Sequence, residues 1–249
     1  MRVNTFIIPI IRGDFIGKCL ETLYKYTEKD SFYVYVIDQT NSNEALEKYG
    51  HLAHFWIKPY RNLGFSKAVN TGIRLSQTPY ITLLNDDVEF INSKWWQGIL
   101  DTFDMDDKII AVNPMSPKEG SWGYGYRDDN KDTWQPNEKF VYEGDDKLAI
   151  YPKREDGTGF FYKEEFDEDD WDFLLNRNPA WTKDSLCDAI PMWCPVFKRE
   201  AFEKIGIPDE KFFPGGGEDY DMNARAYSCA WPFERDECDP EYHYRMVGT

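Results

Sequence analysis

Four short apolar runs punctuate the first third of the chain. They are Phe6-Ile7-Ile8-Pro9-Ile10-Ile11, Phe32 to Ile37, Phe55-Trp56-Ile57 and Tyr80 to Leu84, each bounded by turn-forming or charged residues. Runs of this length without polar alternation predict strands buried on both faces. Pro9 marks the end of the first strand or an irregularity in it, because proline has no N–H for a ladder. Between the runs, apolar residues recur at helical spacing. Ile16, Cys19, Leu20 and Leu23 follow Asp14, a suitable N-cap; a short helix ends near Tyr49; Phe65, Val69 and Ile73 follow Gly64 in a segment reaching Gln77. Strands alternating with helices predict a Rossmann-like, mostly parallel sheet covered by helices on both faces.

The pattern then changes. Trp95, Trp96, Ile99, Leu100 and Phe103 predict one more helix, and Ile109 to Val112 one more strand. Residues 116–185 show no periodicity and are rich in Gly, Trp, Tyr, Asn and acidic residues, as in Gly120-Ser121-Trp122-Gly123-Tyr124-Gly125-Tyr126. Long irregular sections inside compact domains are functional or disordered, and the aromatics favour an ordered binding surface. Trp122, Tyr124, Tyr126, Trp134, Trp171 and Trp181 either offer flat faces on which a ligand stacks or form a small cluster that holds the loop. Order returns with a strand over Met192 to Phe197 and a helix over Arg199 to Ile205, stopped by Gly206. The segment Phe212-Phe213-Pro214-Gly215-Gly216-Gly217-Glu218-Asp219-Tyr220-Asp221 then opens a helix reaching about Cys229.

Composition narrows the function classes. The 249 residues carry a formal charge of −16, which argues against a surface built to neutralise nucleic-acid phosphates. Much of the acid lies in local runs such as Glu164 to Asp170, expected to be solvated. The five cysteines include no Cys-x-x-Cys pair, so neither a zinc site nor a disulfide framework is expected, and a reducing, cytoplasmic compartment is the simplest expectation. The apolar segment at the N-terminus is too short for a signal peptide or a membrane span, and no other window approaches the ~20 apolar residues that a span needs.

Acidic residues fall at three structurally meaningful places. Asp38 ends the second strand, Asp86 and Asp87 follow the fourth, and Glu218, Asp219 and Asp221 follow three glycines. In a parallel sheet the first two places share the carboxyl edge, where ligands of open α/β sheets sit. Two aspartates there can hold a hard divalent cation against a phosphate. Each cluster also has a plainer reading: Asp38 as a strand-end turn residue, Asp86 and Asp87 as an acidic turn, and Glu218 to Asp221 as first-turn acids complementing a helix dipole.

The ordered set resembles the family-2 glycosyltransferases of the GT-A fold. Phe6-Ile7-Ile8-Pro9 is similar to that family's opening strand. Val36-Ile37-Asp38-Gln39-Thr40-Asn41-Ser42 is similar to its second-strand motif, whose aspartate reads the nucleotide base. Asn62-Leu63-Gly64-Phe65, followed by Asn70-Thr71-Gly72, carries the most specific likeness. Leu83-Leu84-Asn85-Asp86-Asp87 occupies the family's Asp-x-Asp position, and Phe197 to Phe202, Asp209 to Phe213 and Glu218 to Asp221 resemble its acceptor-side half. Asn85 replaces the first aspartate of that motif. Gln39 stands where an acidic residue or Asn is common.

The resemblance implies one GT-A domain over 1–249: a nucleotide-sugar-binding half at 1–115, the insertion at 116–185 and an acceptor-side catalytic half at 186–249. It implies an inverting transferase that moves a sugar from a nucleoside-diphosphate donor, UDP-linked in most of the family, to a hydroxyl of a glycan or other acceptor. Mn2+ or Mg2+ would neutralise the leaving diphosphate. Asp219 would be the general base, with Glu218 orienting the acceptor or sharing the role, and Asp221 capping the helix. Pro9, Asp38, Asn62, Gly64, Lys67, Asn85 and Asp86 would line the donor, and Asp87 would hold the metal. Lys67 and Arg74 either meet the diphosphate or are solvated helix residues. Some members of the fold add a histidine to the metal; His243 is the candidate, or else a surface residue, with His51 and His54 less well placed. Two other readings remain: a catalytically silent nucleotide- or carbohydrate-binding module on the same fold, and metal-dependent nucleotidyl transfer. The second lacks a Gly-x-x-x-x-Gly-Lys phosphate loop.

Overall fold

The computed structural model describes residues 2–114, 190–226 and 244–248. The expected insertion and His243 lie outside the described residues, as do Cys187, Cys229 and Cys238.

The predicted alternation is present. The chain runs β1 (Asn4–Ile10), α1 (Ile16–Tyr26), β2 (Phe32–Asp38), α2 (Glu44–Tyr49), β3 (Phe55–Ile57), α3 (Phe65–Leu75), β4 (Tyr80–Leu83), α4 (Trp95–Phe103) and β5 (Ile109–Asn113). After the undescribed section come β6 (Val196–Lys198), α5 (Ala201–Lys204), α6 (Glu218–Ala226) and β7 (Arg245–Gly248). Together the strands make one seven-stranded sheet, ordered β3-β2-β1-β4-β6-β5-β7. Pairing is parallel except that β6 runs antiparallel to β4 and β5. This is the mostly parallel, doubly covered sheet that the sequence implies. Strand β7 was not predicted, because a tail rich in Tyr and acid hides its four residues.

Alternation along β1 places its side chains in two layers. Phe6, Ile8 and Ile10 enter a core with α1, including Ile16, Leu20 and Leu23, while Ile7 enters a second core with Ala68, Val69 and Ile73 of α3. Gly72 lets α3 lie directly on the sheet, since a Cβ there would stand 2.5 Å from Cγ2 of Ile7. A third cluster joins Ile99 and Phe103 of α4 to Ile109, Val112, Val196 and Val247.

Three local expectations change. Pro9 neither ends nor distorts β1, which continues to Ile10 in register with Asp38. The pairing of β1 with β4 stops at Ile7, whose carbonyl takes the Leu84 N–H, whereas the Ile10 carbonyl faces β2 and takes the Gln39 N–H. By alternation Pro9 faces the β4 side beyond that pairing, so its missing donor breaks no ladder bond. Asp14 does not cap α1; Phe15 holds the cap position, with no side-chain hydrogen bond. The strand expected over Met192 to Phe197 is regular only from Val196. The carbonyls of Trp193 and Pro195 still accept from Asn85 and Leu83 N–H, at 2.9 and 3.1 Å, but Pro195 has no N–H to return.

Candidate active site

The register gathers the predicted residues of the first half on one edge. Strands β1, β2 and β4 are parallel, so Ile10, Asp38 and the Leu84-Asn85-Asp86-Asp87 turn all lie at carboxyl ends. The Asn85 turn is held from below: its N–H donates to Trp193 O at 2.9 Å, and its carbonyl accepts the Cys19 thiol at 3.7 Å. Asp86 is half-buried and Asp87 exposed. Burial raises the Asp86 pKa to about 6, and the charge of Asp87 adds to this. A hydrogen bond to its own backbone and the nearby Arg12 oppose the rise, while Asp14 contributes to it. A carboxylate whose proton affinity is raised beside a second carboxylate is a site that a dication would satisfy. Among the described residues no group of three or more His, Cys, Asp or Glu is placed to hold a metal. The described part therefore offers Asp86 and Asp87, a donor set suited to a hard ion that keeps waters and takes phosphate oxygens.

Asp38 is fully buried. Its Oδ1 accepts the Thr40 N–H at 2.9 Å, and its Oδ2 accepts the Trp56 indole N–H at 3.0 Å and lies 3.5 Å from Lys58 Nζ. Burial alone would raise its pKa, but the hydrogen bonds from Thr40 and Trp56 and the Lys58 charge outweigh burial and hold it below the usual carboxylate range. A base would reach this carboxylate only by exchanging one of those partners. Lys58 also donates to the Ser42 carbonyl, so the loop after β2 is strapped to β3. The sequence marks Trp56 as a strand residue only; its indole N–H takes a partner eighteen positions away, which no spacing rule reveals.

Gln39 accepts the Leu63 N–H through Oε1 at 2.7 Å, joining the loop after β2 to the Asn62-Leu63-Gly64 turn. Within that turn, Asn62 Oδ1 accepts the Gly64 N–H at 2.8 Å. Gly64 has φ 75° and ψ 178°, a conformation essentially restricted to glycine. A Cβ there would also stand 2.8 Å from both Phe213 Cδ2 and Pro214 O. The Phe65 N–H donates to that same Pro214 carbonyl at 2.7 Å. The loop preceding the expected catalytic acids thus packs directly on the turn that opens α3.

A second tie fixes the same loop. Asn70, fully buried on α3, donates to Pro208 O at 2.8 Å and to Glu210 Oε1 at 3.3 Å. Lys67 and Arg74 approach Glu210 at 3.7 and 3.1 Å. Both cations considered for a diphosphate are therefore drawn to one carboxylate. The pairs are exposed and worth little, so exchanging Glu210 for a phosphate costs Lys67 little.

On the other side, Glu218 opens α6, is buried, and accepts the Gly216 N–H at 2.5 Å. Asp219 is half-exposed; its Oδ1 accepts the Tyr220 N–H at 2.8 Å. Asn223 locks the helix by bonding both backbone groups of Ile190, at 3.0 and 2.9 Å, and the Asp219 carbonyl at 2.8 Å. Asp221, expected as a cap, instead pairs with Arg225 at 2.7 Å one turn later. Arg225 in turn donates to the carbonyls of Ile205 and Ile207 and anchors α6 to the loop after α5.

A mostly parallel sheet with paired aspartates at its carboxyl edge, joined to a glycine-rich acidic helix start through β6 and the loop after α5, has the architecture of the GT-A fold. The glycosyl transferase family 2 model matches residues 5–171, more than half of the chain, and the chain belongs to that family. Solved structures agree on the fold. The mannosyltransferase PcManGT from Pyrobaculum calidifontis, in complex with GDP-Man and Mn2+, matches at TM-score 0.59 and 15% identity, over 100% of this chain and 55% of that one. S. aureus TarS 1-349 matches at TM-score 0.51 and 15% identity, over 91% and 55%. GalNAc-T7 with UDP, GalNAc and Mn2+ matches at 0.57 and 13%, over 92% and 41%. The chain spans about half the length of the first two, and at these identities the likeness concerns the fold alone. Comparison with curated sequences gives no match.

Proposed function

We propose that this chain is a metal-dependent, inverting glycosyltransferase that moves a sugar from a nucleoside-diphosphate donor, UDP-linked, to a hydroxyl of a glycan or other acceptor. The observation that carries the reading is the contact of Gly64 and Phe65 with Phe213 and Pro214. It joins the turn beside the strand-end acids to the loop that delivers Asp219. A donor-binding edge and a candidate base then belong to one preorganised surface, which is what transfer between two bound substrates requires.

In this reading the loops that Asp38 organises through Thr40 and Trp56 wall the base, with Pro9 and Gln39 beneath them. Asn62, Gly64 and Lys67 flank the ribose and diphosphate, and Asn85 and Asp86 meet the ribose or orient the ion. Asp87 is the exposed carboxylate that would hold Mn2+ or Mg2+. When bound, that ion would neutralise charge developing on the leaving diphosphate. Asp219 accepts the proton of the acceptor hydroxyl as the hydroxyl oxygen bonds to the anomeric carbon from the face opposite the nucleoside diphosphate, whose bond to that carbon breaks. Glu218, whose carboxylate holds Gly216, shapes the loop and positions its neighbour. His243 is retained as a proposed additional ligand.

A panel of UDP- and GDP-sugars with Mn2+ tests the reading, through the rise in melting temperature and the release of nucleoside diphosphate. A matching donor should raise the melting temperature by mass action, and release should vanish in Asp219→Asn. Release that survives this substitution would remove Asp219 as the base, and binding without any release would favour the silent binding module.

A further inference from the structure

Strand β3 is short and lies at the edge of the sheet, yet with the residue after it supplies two partners of Asp38, the Trp56 indole N–H and Lys58 Nζ. A histidine closes its amino end. The His54 N–H donates to Val34 O at 2.8 Å, and the Val34 N–H donates back to His54 Nδ1 at 3.1 Å. Strand β3 begins one residue later, with Phe55 opposite Tyr35. The ring nitrogen thus stands in for a backbone carbonyl that the ladder lacks at this point. Val34 is fully buried, so its N–H depends on that acceptor.

An acceptor nitrogen must be unprotonated. A proton on Nδ1 would set two donors face to face, and the ring would have to turn away from Val34. The surroundings favour the neutral ring. Burial holds the His54 pKa below its ordinary 6.5, and the charge of Arg2 acts in the same direction. Arg2 lies over the Tyr33 ring, 4.3 Å from its centroid, and the Tyr33 ring meets the His54 ring edge-on at 5.2 Å. From α1, the Tyr24 hydroxyl donates to Leu52 O at 2.6 Å on the turn before His54, and His51 on that turn is exposed. Arg2 supplies the charge in this set, and it repels a second cation.

We propose that His54 is an acid-sensitive clasp, whose protonation frees the amino end of β3 and loosens the Trp56 and Lys58 contacts to Asp38. The native state favours the neutral ring, so below pH 6.5 the unfolded chain binds more protons than the folded one. The clasp is fully engaged above that value, and its contribution to stability is lost as pH falls from there toward the lower folded pKa. The clasp stands independently of the transferase reading. Where that reading holds, acid weakens the wall beside the base.

NMR titration of the His54 ring and thermal melts between about pH 5 and 8, the range in which histidine titrates, test the clasp. The melts compare the unaltered protein with His54→Asn, which keeps an acceptor near the Nδ1 position and does not titrate, and with His54→Leu, which offers none. His54→Gln, which also keeps an acceptor, replaces His54→Asn if that variant does not fold. The ring should titrate below 6.5. Toward the acid end the unaltered protein should lose about 2–10 °C more than His54→Asn. His54→Leu should melt lower at the alkaline end and lack this extra loss. Asp86 titrates in every variant and cancels from the difference. The Trp56 indole N–H, assigned by its absence in Trp56→Phe, should exchange faster at the acid end in the unaltered protein than in His54→Asn. The clasp is refuted if the ring titrates at or above 6.5, or if the unaltered and His54→Asn melts fall in parallel. Equal protection of the Trp56 indole N–H in both proteins also overturns it, by confining His54 to its own turn.

Discussion

Gly64→Ala tests the joint between the two halves most directly. At φ 75° and ψ 178° an alanine is strained whatever space surrounds it, at a cost of about 1–3 kcal/mol. Its methyl would also stand 2.8 Å from the Pro214 carbonyl, a backbone atom that cannot turn aside as a flexible side chain would. Relief requires the Pro214 loop to move, which weakens the Phe65-to-Pro214 hydrogen bond, worth about 1 kcal/mol. The total is about 2–4 kcal/mol, or about 5–15 °C in melting temperature for a chain of this size. Gly98→Ala is the matched control: it lies within α4, its Cβ would meet nothing within 4 Å, and helix propensity favours the alanine. Thermal melts of both variants, run beside donor-dependent nucleoside-diphosphate release, check the reasoning. Gly64→Ala should lose stability and turnover together, while Gly98→Ala should melt at or above the unaltered protein. A Gly64→Ala protein that melts within a degree of the parent and retains turnover would refute the claim that this contact organises the site.

Three further outcomes are expected. Asp219→Asn should lower turnover about 10²-fold or more, with the donor's thermal shift unchanged; a matching loss of donor binding would instead assign Asp219 to the donor. The folded-state pKa of Asp86 is raised from 3.8 to about 6, so between those values the native state binds more protons than the unfolded chain. This group's contribution to stability therefore falls as pH rises across that window. Metal-free thermal melts across that window should show a decline that Asp86→Asn flattens, and Mn2+ binding by calorimetry should strengthen as pH rises through about 6. Asn70→Ala removes the buried donor to Pro208 O, and urea denaturation should show a loss of about 1–3 kcal/mol. Because the same amide steadies the 208–217 loop, turnover should fall as well; an unchanged urea midpoint would mean that the Asn70 hydrogen bonds do not hold the loop.

Much of the scaffold was legible because its signals are local. Buried parallel strands demand unbroken apolar runs, and helices demand their own period, so β1 to β5 and α1 to α4 fall where these patterns fall. Asp38, Asp86 and Asp87 were readable as edge acids because parallel strands share a carboxyl edge whatever their order. Signals failed where a partner lies far along the chain. Pro9 was compatible with β1 only because β4 stops pairing at Ile7. Asp221 is a different case, a local i,i+4 pair with Arg225 in place of the expected cap. Strand β7 depends on β5 as its template and carries little pattern of its own.

By itself, then, the sequence determined a doubly covered α/β sheet and the chemical character of its carboxyl edge, because burial and periodicity are properties of neighbours in the chain. Tertiary structure decided which side chains already have partners and which face outward. It enclosed Asp38 with Trp56 and Lys58, drew Lys67 and Arg74 to Glu210, and set the Phe213 loop on Gly64. These contacts join positions from eighteen to about a hundred and fifty residues apart. Hydrogen-bond satisfaction and close packing are settled only when the chain brings such positions within a few ångströms, so no spacing along the sequence could announce them.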